Sequence, residues 1–545
     1  MAESVLLQTC FHLLPSKKLF EVRLTRKKLF YQQTSIDSCW RTSNSPLFSV
    51  NLEDVYGGKV FRSRSRNNIN SYLHIFTCPV EGKRRVRGRI RFKVSGWEDA
   101  DSNVRCAERW LKMILWLVKH PGIDVDTIKD RKLPSQRKLL VFVNPCSGSG
   151  KSLAIFKKNV VPMFTEASID YTLRVTEYAG HAEKIALELN IEEWDGLVIC
   201  SGDGLVHELV NGLMKRPDWK RAMTLPMGVI PTGSGNALCY SALYASGEPF
   251  DLTAAVFAVI RGQTLDLDLC AIETPSQKLF SFLSLSWGMI SDVDMESEKY
   301  RRLGNARFTL GAIIRILNLR TYRGKLSYLP PDEAEHPTTS LDLPKEETKN
   351  EDDDLANFYS LPGSPSGSFY NTKSAPEEKP PKINSSHENI GMLDSAHPSI
   401  NDISQTVSEH RGTLSMPSIA KRLPSNWKTI EGEFILSSCV LISHLDGNCN
   451  FAPEAKFGDG FLYMAYIKSG VSKLRLLATL KEMETGIQVN SDDFFILKAC
   501  AFRLEPDLSQ QGTMAVDGER LPYSEVQGEV YKGVGRVMCG RPYSF

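Results

Sequence analysis

Residues 201–213 read SGDGLVHELVNGL, directly after the continuous apolar run GLVICS at 196–201. A short buried strand, a turn with two glycines and apolar residues at helical spacing make a strand-turn-helix unit. Gly202 and Gly204 let the backbone approach a ligand closely, and the helix start offers unpaired N–H groups to an anion. Asp203 stands between them, where an anion-binding turn would ordinarily avoid a carboxylate. It reads as a general base, as a contact to Mg2+ beside phosphates, or as a turn acid with a helix-capping role.

Two similar turns flank this one. NPCSGSGKS (144–152) follows the strand-like KLLVFVN (138–144), and PTGSGNAL (231–238) follows PMGVI (226–230). The first looks like the end of a P-loop, but Pro145 occupies the position of that motif's first glycine. A true P-loop NTPase is thereby excluded, and Lys151 is not expected to hold terminal phosphates. In the third turn Gly233 and Gly235 flank Ser234, whose hydroxyl and N–H suit phosphate, and Asn236 is placed to cap the next helix. DYTLRV (170–175) adds a strand, and helices are expected over 151–166, 181–190, from 204, from 236 and over 251–261. Strands alternating with helices specify a parallel sheet covered on both faces, with ligands at the carboxyl ends of its strands. The expected fold is an α/β nucleotide-binding domain (133–266) followed by a β-rich, antiparallel sandwich-like domain (267–330 and 429–545).

Before the α/β region, RVRGRIRFK (85–93) alternates cations with Val86, Ile90 and Phe92, the period of a half-buried strand with a basic outer face. NVRCAERWLKMILWLV then places Val104, Ala107, Trp110, Leu111, Ile114, Leu115 and Val118 at helical spacing. Strands closed by a Trp-bearing amphipathic helix resemble a pleckstrin-homology domain, so 1–132 is expected to be an α+β region of that kind. Its basic strand face either meets anionic lipid headgroups or is simply solvated. Residues 331–428, rich in Pro, Ser, Glu, Asp and Asn and without periodicity, are expected to be a disordered insertion. The helical pattern FTLGAIIRILNLRTYRGK (308–325) carries an apolar stripe of Leu310, Ile313, Ile314 and Leu317, for core packing or for a lid.

The chain of 545 residues is too long for one core, and its net charge of +2 hides a basic first third and an acidic insertion. Twelve cysteines show no C-x-x-C pair and no zinc spacing, which suits reduced thiols in the cytosol. MAESVLLQTCFHLLP has Glu3 where a signal peptide needs positive charge, and no apolar run is long enough to span a bilayer. The expectation is a protein that is soluble or lies on membranes without crossing them.

Taken together, NPCSGSGK, Thr176-Glu177 with His181-Ala182, SGDGLVHELVNGL and GSGNAL resemble the diacylglycerol-kinase-type catalytic domain of lipid kinases. The stretch LSLSWGMISDVDMESEKYRRLGNARFTLG (283–311) is similar to the sphingosine kinases in particular, as are NGLMKRPDW, LRTYRGKLSYLP, FAPEAKFGDGFLYM and VDGE. The resemblance covers about 138–330 and 433–530. It implies ATP and Mg2+ as cofactors and transfer of the ATP γ-phosphate to the primary hydroxyl of sphingosine and related sphingoid bases. A ceramide or diacylglycerol kinase of the same fold is the alternative.

The same resemblance implies the site residues. Asp203 matches the catalytic acid. Asn144, Ser147, Thr176, Gly202, Gly204, Gly233, Ser234, Arg301, Arg307 and Glu519 match nucleotide-contacting positions. Asp294 matches the acid that recognises the substrate ammonium, with Ser284 near the same head, while Ala237, Met289, Ile290 and Phe434 would line the lipid pocket. No metal-ligating residues are assigned. Expected partners are the sphingoid base, an anionic membrane surface met peripherally from the cytoplasm, and a second copy of the chain; nucleic acid is not among them. One departure stands in the first turn, where family members often carry further cations and this chain has Cys146, Ser147 and Ser149.

Overall fold

The computed structural model describes residues 4–34, 45–63, 65, 68–303, 306–334 and 416–541; of residues 301–305 no side chain is described. Most of the expected insertion, 335–415, therefore lies outside the described residues. Its edges do not: Asn426 donates to the Glu333 carbonyl, Arg503 to that of Lys421, and Met416 and Trp427 pack beside Leu329.

The N-terminal region is a seven-stranded antiparallel sheet. Its strands are β1 (Leu7–Leu13), β2 (Lys18–Leu24), β3 (Lys28–Gln33), β4 (Leu47–Asn51), β5 (Val55–Arg62), β6 (Ser71–Thr77) and β7 (Gly88–Val94), in the order β4-β3-β2-β1-β7-β6-β5. Helix α1 (Ala100–Lys119) begins where the Asp99 side chain accepts from the Ser102 N–H, and its buried face carries Val104, Ala107, Trp110, Leu111 and Ile114. Trp110 meets Phe11 edge-on in the core between helix and sheet.

The basic strand expected over 85–93 is not one strand. Arg84–Arg85 pairs in a separate two-residue ladder, and β7 starts at Gly88. Arg85 points inward: its guanidinium meets Glu248 at 2.8 Å and Asp54 at 3.0 Å and lies over the Phe257 ring. Arg87 pairs with Glu166 at 2.8 Å. Two of the five cations thus fasten the N-terminal sheet to the α/β region, because those carboxylates lie where alternation alone would have put water.

The remaining elements build one fifteen-stranded sheet. Strands β8 (Lys138–Val143), β9 (Asp170–Val175), β10 (Gly196–Ser201) and β11 (Met227–Pro231) are parallel in the order β9-β8-β10-β11. Around them run α2 (Ser152–Ile155, Phe156–Val160 and Val161–Glu166, the middle piece a π-helical turn), α3 (His181–Glu188), α4 (Asp203–Met214), α5 (Ala237–Ala245) and α6 (Leu252–Arg261). β8 and β10 are buried almost throughout, as residues covered on both faces must be.

The sheet continues without a break into an antiparallel half. This comprises β12 (Gln263–Glu273), β13 (Lys278–Ser281), β14 (Ser284–Gly288), β15 (Tyr322–Leu329), β16 (Lys428–Val440), β17 (Leu462–Lys468), β18 (Phe495–Ala499), β19 (Ala501–Pro506), β20 (Met514–Val516), β21 (Glu519–Leu521) and β22 (Val526–Cys539). The seam is β22, which touches β11 in parallel at Met227 and Val537 and pairs antiparallel with β12 and β19. Three helices stand by this half: α7 (Met289–Ser297), α8 (Ala306–Leu317) and α9 (Lys473–Glu482).

Gly288, at φ 80, ends β14, and Met289 and Ile290 open a helix. One local expectation changes. The helix expected over 308–325 stops at Leu317, and Tyr322 onward is claimed by strand pairing with β16 and β19.

Arg85→Met leaves the buried Glu248 carboxylate without its cation and Asp54 with only Arg541, at 3.9 Å. It should lower stability by about 3–5 kcal/mol in chemical denaturation, while the exposed Arg89→Met should stay within about 0.5 kcal/mol.

Candidate active site

Because β8, β10 and β11 are parallel, their three Gly-rich turns leave the same edge of the sheet. Hydrogen bonds lock them together. The Ser201 hydroxyl donates to Ser147 Oγ at 3.1 Å, and the Ser201 carbonyl accepts from Thr232 and Gly233 N–H at 3.1 and 3.0 Å. In the first turn Asn144 Oδ1 accepts from the Cys146 N–H at 2.9 Å, and Lys151 stays exposed at the start of α2.

Asp203 begins α4, but its carboxylate serves a different helix. Its two oxygens accept the Ala237 N–H at 2.7 Å and the Leu238 N–H at 3.2 Å, the first free donors of α5. Asn236, expected as that cap, makes no side-chain cap; its amide donates to the Gly233 carbonyl instead. Burial pushes the Asp203 carboxyl up to about 6, helped by the charge of Asp517 and opposed by the two N–H donors. A carboxylate at the positive end of a helix, dry and poised near neutrality, suits proton abstraction.

A cavity of about 780 Å3 runs from these turns into the antiparallel half. Asn144, Ser147, Thr176, Gly202, Asp203, Gly204, Ser234 and Glu519 line its polar end. Ser284, Asp294 and Arg307 form the middle, and Met289 and Ile290 from α7 lead into an apolar chamber. Arg307 ion-pairs with Glu298, stands 4.0 Å from Asp294 and stacks on Phe308 at 4.3 Å. Burial raises the Asp294 carboxyl to about 7; Arg307 pulls it down, while Glu298, Asp203 and Glu519 push it up.

Three of the expected residues do not reach the wall. Gly233 sits behind it, bonded to Ser201. Ala237 contributes only its N–H to Asp203. Phe434 is fully buried in the sheet, its ring between Trp287 and Tyr466. The Arg301 side chain lies outside the described residues. In their place the chamber takes Phe308, Leu436, Phe451, and Leu477 and Leu480 of α9. The Leu477/Leu480 spacing was visible in the sequence as one face of a helix, but nothing local ties that face to residues two hundred positions earlier.

The comparisons with known proteins agree with this layout. The family profile of the diacylglycerol kinase catalytic domain matches residues 138–272, from β8 through nearly all of β12. Human sphingosine kinase 2 is 33% identical over 558 aligned residues, covering 90% of this chain and 85% of that protein. Human sphingosine kinase 1 is 35% identical, covering 75% of this chain and 92% of that protein. The chain belongs to the sphingosine kinase family. A crystal structure of a putative diacylglycerol kinase from Bacillus anthracis superposes at a TM-score of 0.45, with 18% identity over 74% of this chain and 97% of that one. Membership makes the chain a lipid kinase, and it directs attention to the acid between the two ends of the cavity.

Asp203 also leaves a signature in stability. Its folded pKa of about 6 lies above the usual 3.8, so the folded state holds the proton longer, and stability from this group falls as pH rises from about 4 to 6. Asp203→Asn lacks that loss. Its melting temperature relative to the wild type should therefore be higher at pH 8 than at pH 4.

Proposed function

We propose that this protein transfers the γ-phosphate of MgATP to the primary hydroxyl of sphingosine and related sphingoid bases, forming sphingosine 1-phosphate. The observation that carries the reading is the order of groups along one cavity: phosphate-type turns, Asp203, the half-buried acid Asp294, then an apolar chamber. A sphingoid base has a hydroxyl, an ammonium and a long chain in that sequence. Ceramide and diacylglycerol lack the ammonium, and for them Asp294 would be a half-buried carboxylate that the substrate leaves without a partner of opposite charge.

In this reading the turns hold ATP through Asn144, Ser147, Thr176, Gly202, Gly204 and Ser234, and Arg301 and Arg307 neutralise phosphate charge. Mg2+ arrives on the ATP phosphates; among the described residues no group of three or more His, Cys, Asp or Glu is arranged to hold an ion. Asp203 takes the proton of the hydroxyl as it attacks, with Glu519 beside Gly204. Asp294 and Ser284 fix the amino head, which sets the distance from hydroxyl to phosphorus.

The same reading extends to location. No helix among the described residues is long and apolar enough to cross a membrane. The outer face of α8 exposes Leu310, Ile313 and Leu317, and we assign it contact with the cytoplasmic face of a bilayer, from which the lipid enters. Arg89, Arg91 and Lys93 on β7 are the cations left for anionic headgroups, in an N-terminal region we take to be pleckstrin-homology-like.

The deciding experiment is an ATP-dependent assay of the full chain on sphingosine, ceramide and diacylglycerol side by side; preference for a neutral lipid would overturn the reading. Asp203→Asn should lower kcat at least about a hundredfold with ATP still bound. Asp294→Asn should raise KM for sphingosine about tenfold or more and leave KM for ATP nearly unchanged. Since both acids act ionised, kcat should fall as pH drops through about 6, and KM for sphingosine should rise as pH drops through about 7.

A further inference from the structure

Asp517 is buried and takes no part in the transfer outlined above, yet it gathers more partners than any group in the transfer itself. Its carboxylate accepts the Ser281 hydroxyl at 2.6 Å and the backbone N–H groups of Phe282, Leu283 and Ser284 at 3.3, 3.1 and 3.0 Å. Its own N–H returns a bond to the Ser284 carbonyl at 2.9 Å. The residue is held at φ 50, a left-handed conformation that side chains other than glycine rarely adopt, and Gly518 follows at φ 85.

That turn touches both ends of the chemistry. A Cβ on Gly518 would lie 3.7 Å from Asp294 Oδ2, and one on Gly204 would lie 3.1 Å from Glu519 Oε1. The hub thus fixes Ser284 on one side and Glu519 on the other.

His207 ties the hub to the catalytic helix. It stands one turn after Asp203 on α4, on the same face, and its Nδ1 is 2.8 Å from Asp517 Oδ2. Asn211, a further turn along, accepts from the Phe280 N–H and donates to the Phe280 carbonyl, both at 2.9 Å, which fixes its orientation. Its amide nitrogen also donates to the His207 carbonyl at 3.0 Å and lies 3.3 Å from His207 Nε2. The Asp517 carboxylate can only accept, so the Nδ1 that faces it carries a ring proton.

We propose that His207 is a positioning residue: through Asp517 it holds the 281–284 bend between β13 and β14 and the 517–519 turn in register with α4, and so sets Asp203 against the lipid head. The inference rests on the sphingosine kinase reading, and the two are separable. A wild-type chain inactive on sphingosine would end that reading, whereas the pair is judged only by variants compared with an active wild type.

His207→Leu keeps side-chain volume and removes the donor; His207→Asn places an amide N–H near the Nδ1 position. In the full chain, with sphingosine in detergent micelles, the Leu variant should lose about tenfold to a hundredfold in kcat while equilibrium ATP affinity stays within about twofold. The Asn variant should recover kcat to within about threefold of the wild type. Wild-type kcat in the Leu variant, or equal losses in Leu and Asn variants of equal thermal stability, would overturn the proposal. Should the Leu variant fail to fold, Ser281→Ala removes another partner of the same carboxylate. A kcat about threefold lower with unchanged ATP affinity supports the hub, and wild-type kcat refutes it.

Discussion

Backbone packed directly on backbone at Gly202 and Gly233 sets the spacing of everything on the nucleotide side. A Cβ on Gly233 would stand 2.5 Å from the N and Cα of Gly202, and one on Gly202 would stand 2.4 Å from the Gly235 carbonyl oxygen. No side chain fits at either position. The contact draws β10 and β11 close enough for the Asp203 carboxylate to reach the first N–H groups of α5. Chemistry and architecture are therefore joined at one residue: the acid proposed to take the proton is also the cap of a buried helix. Its two bonds stabilise the ionised form, burial opposes it, and the balance leaves the group near neutrality.

What the sequence made legible was what local physics determines. Each Gly-rich turn announces itself through its own strand, glycines and following helix, and parallel pairing then brings all three to one edge without further information. The residues that went astray depend on distant partners. The family resemblance assigns Phe434 to the pocket, but only the fold shows its ring closed in by Trp287 and Tyr466. Asn236 is a good capping residue by type, and lost the position to an acid thirty-three residues earlier. Asp517 could not be found locally at all, since its partners lie more than two hundred residues upstream.

The N-terminal sheet shows the same limit in its charges. Alternation over 85–93 correctly marks a pleated, half-buried stretch with cations on one side, and β7 confirms it from Gly88 onward. It does not say which cations have partners. Arg85 is almost wholly buried between Glu248 and Asp54, so the charge that seemed free for a surface is consumed inside the protein. Charge read as a run overstates what a membrane or ligand would meet, and the overstatement is largest where two parts of a chain pack together.

Helix α8 carries this argument to the mouth of the cavity. Two arginines share its buried face with Ala312 and Ile316: Arg307 and Arg315 are held by Glu298 and by Asp292 and Glu296, while Leu310, Ile313 and Leu317 are exposed. In water this arrangement is unfavourable twice over, since it exposes apolar area and desolvates charge. The buried ion pairs offset the second cost, and nothing within the described chain offsets the first. Under the proposed function the missing partner is the lipid bilayer itself. The same inward Arg307 that anchors the helix stands 4.0 Å from Asp294 in the middle of the cavity, so a helix oriented by its substrate's solvent would also complete the site where that substrate reacts.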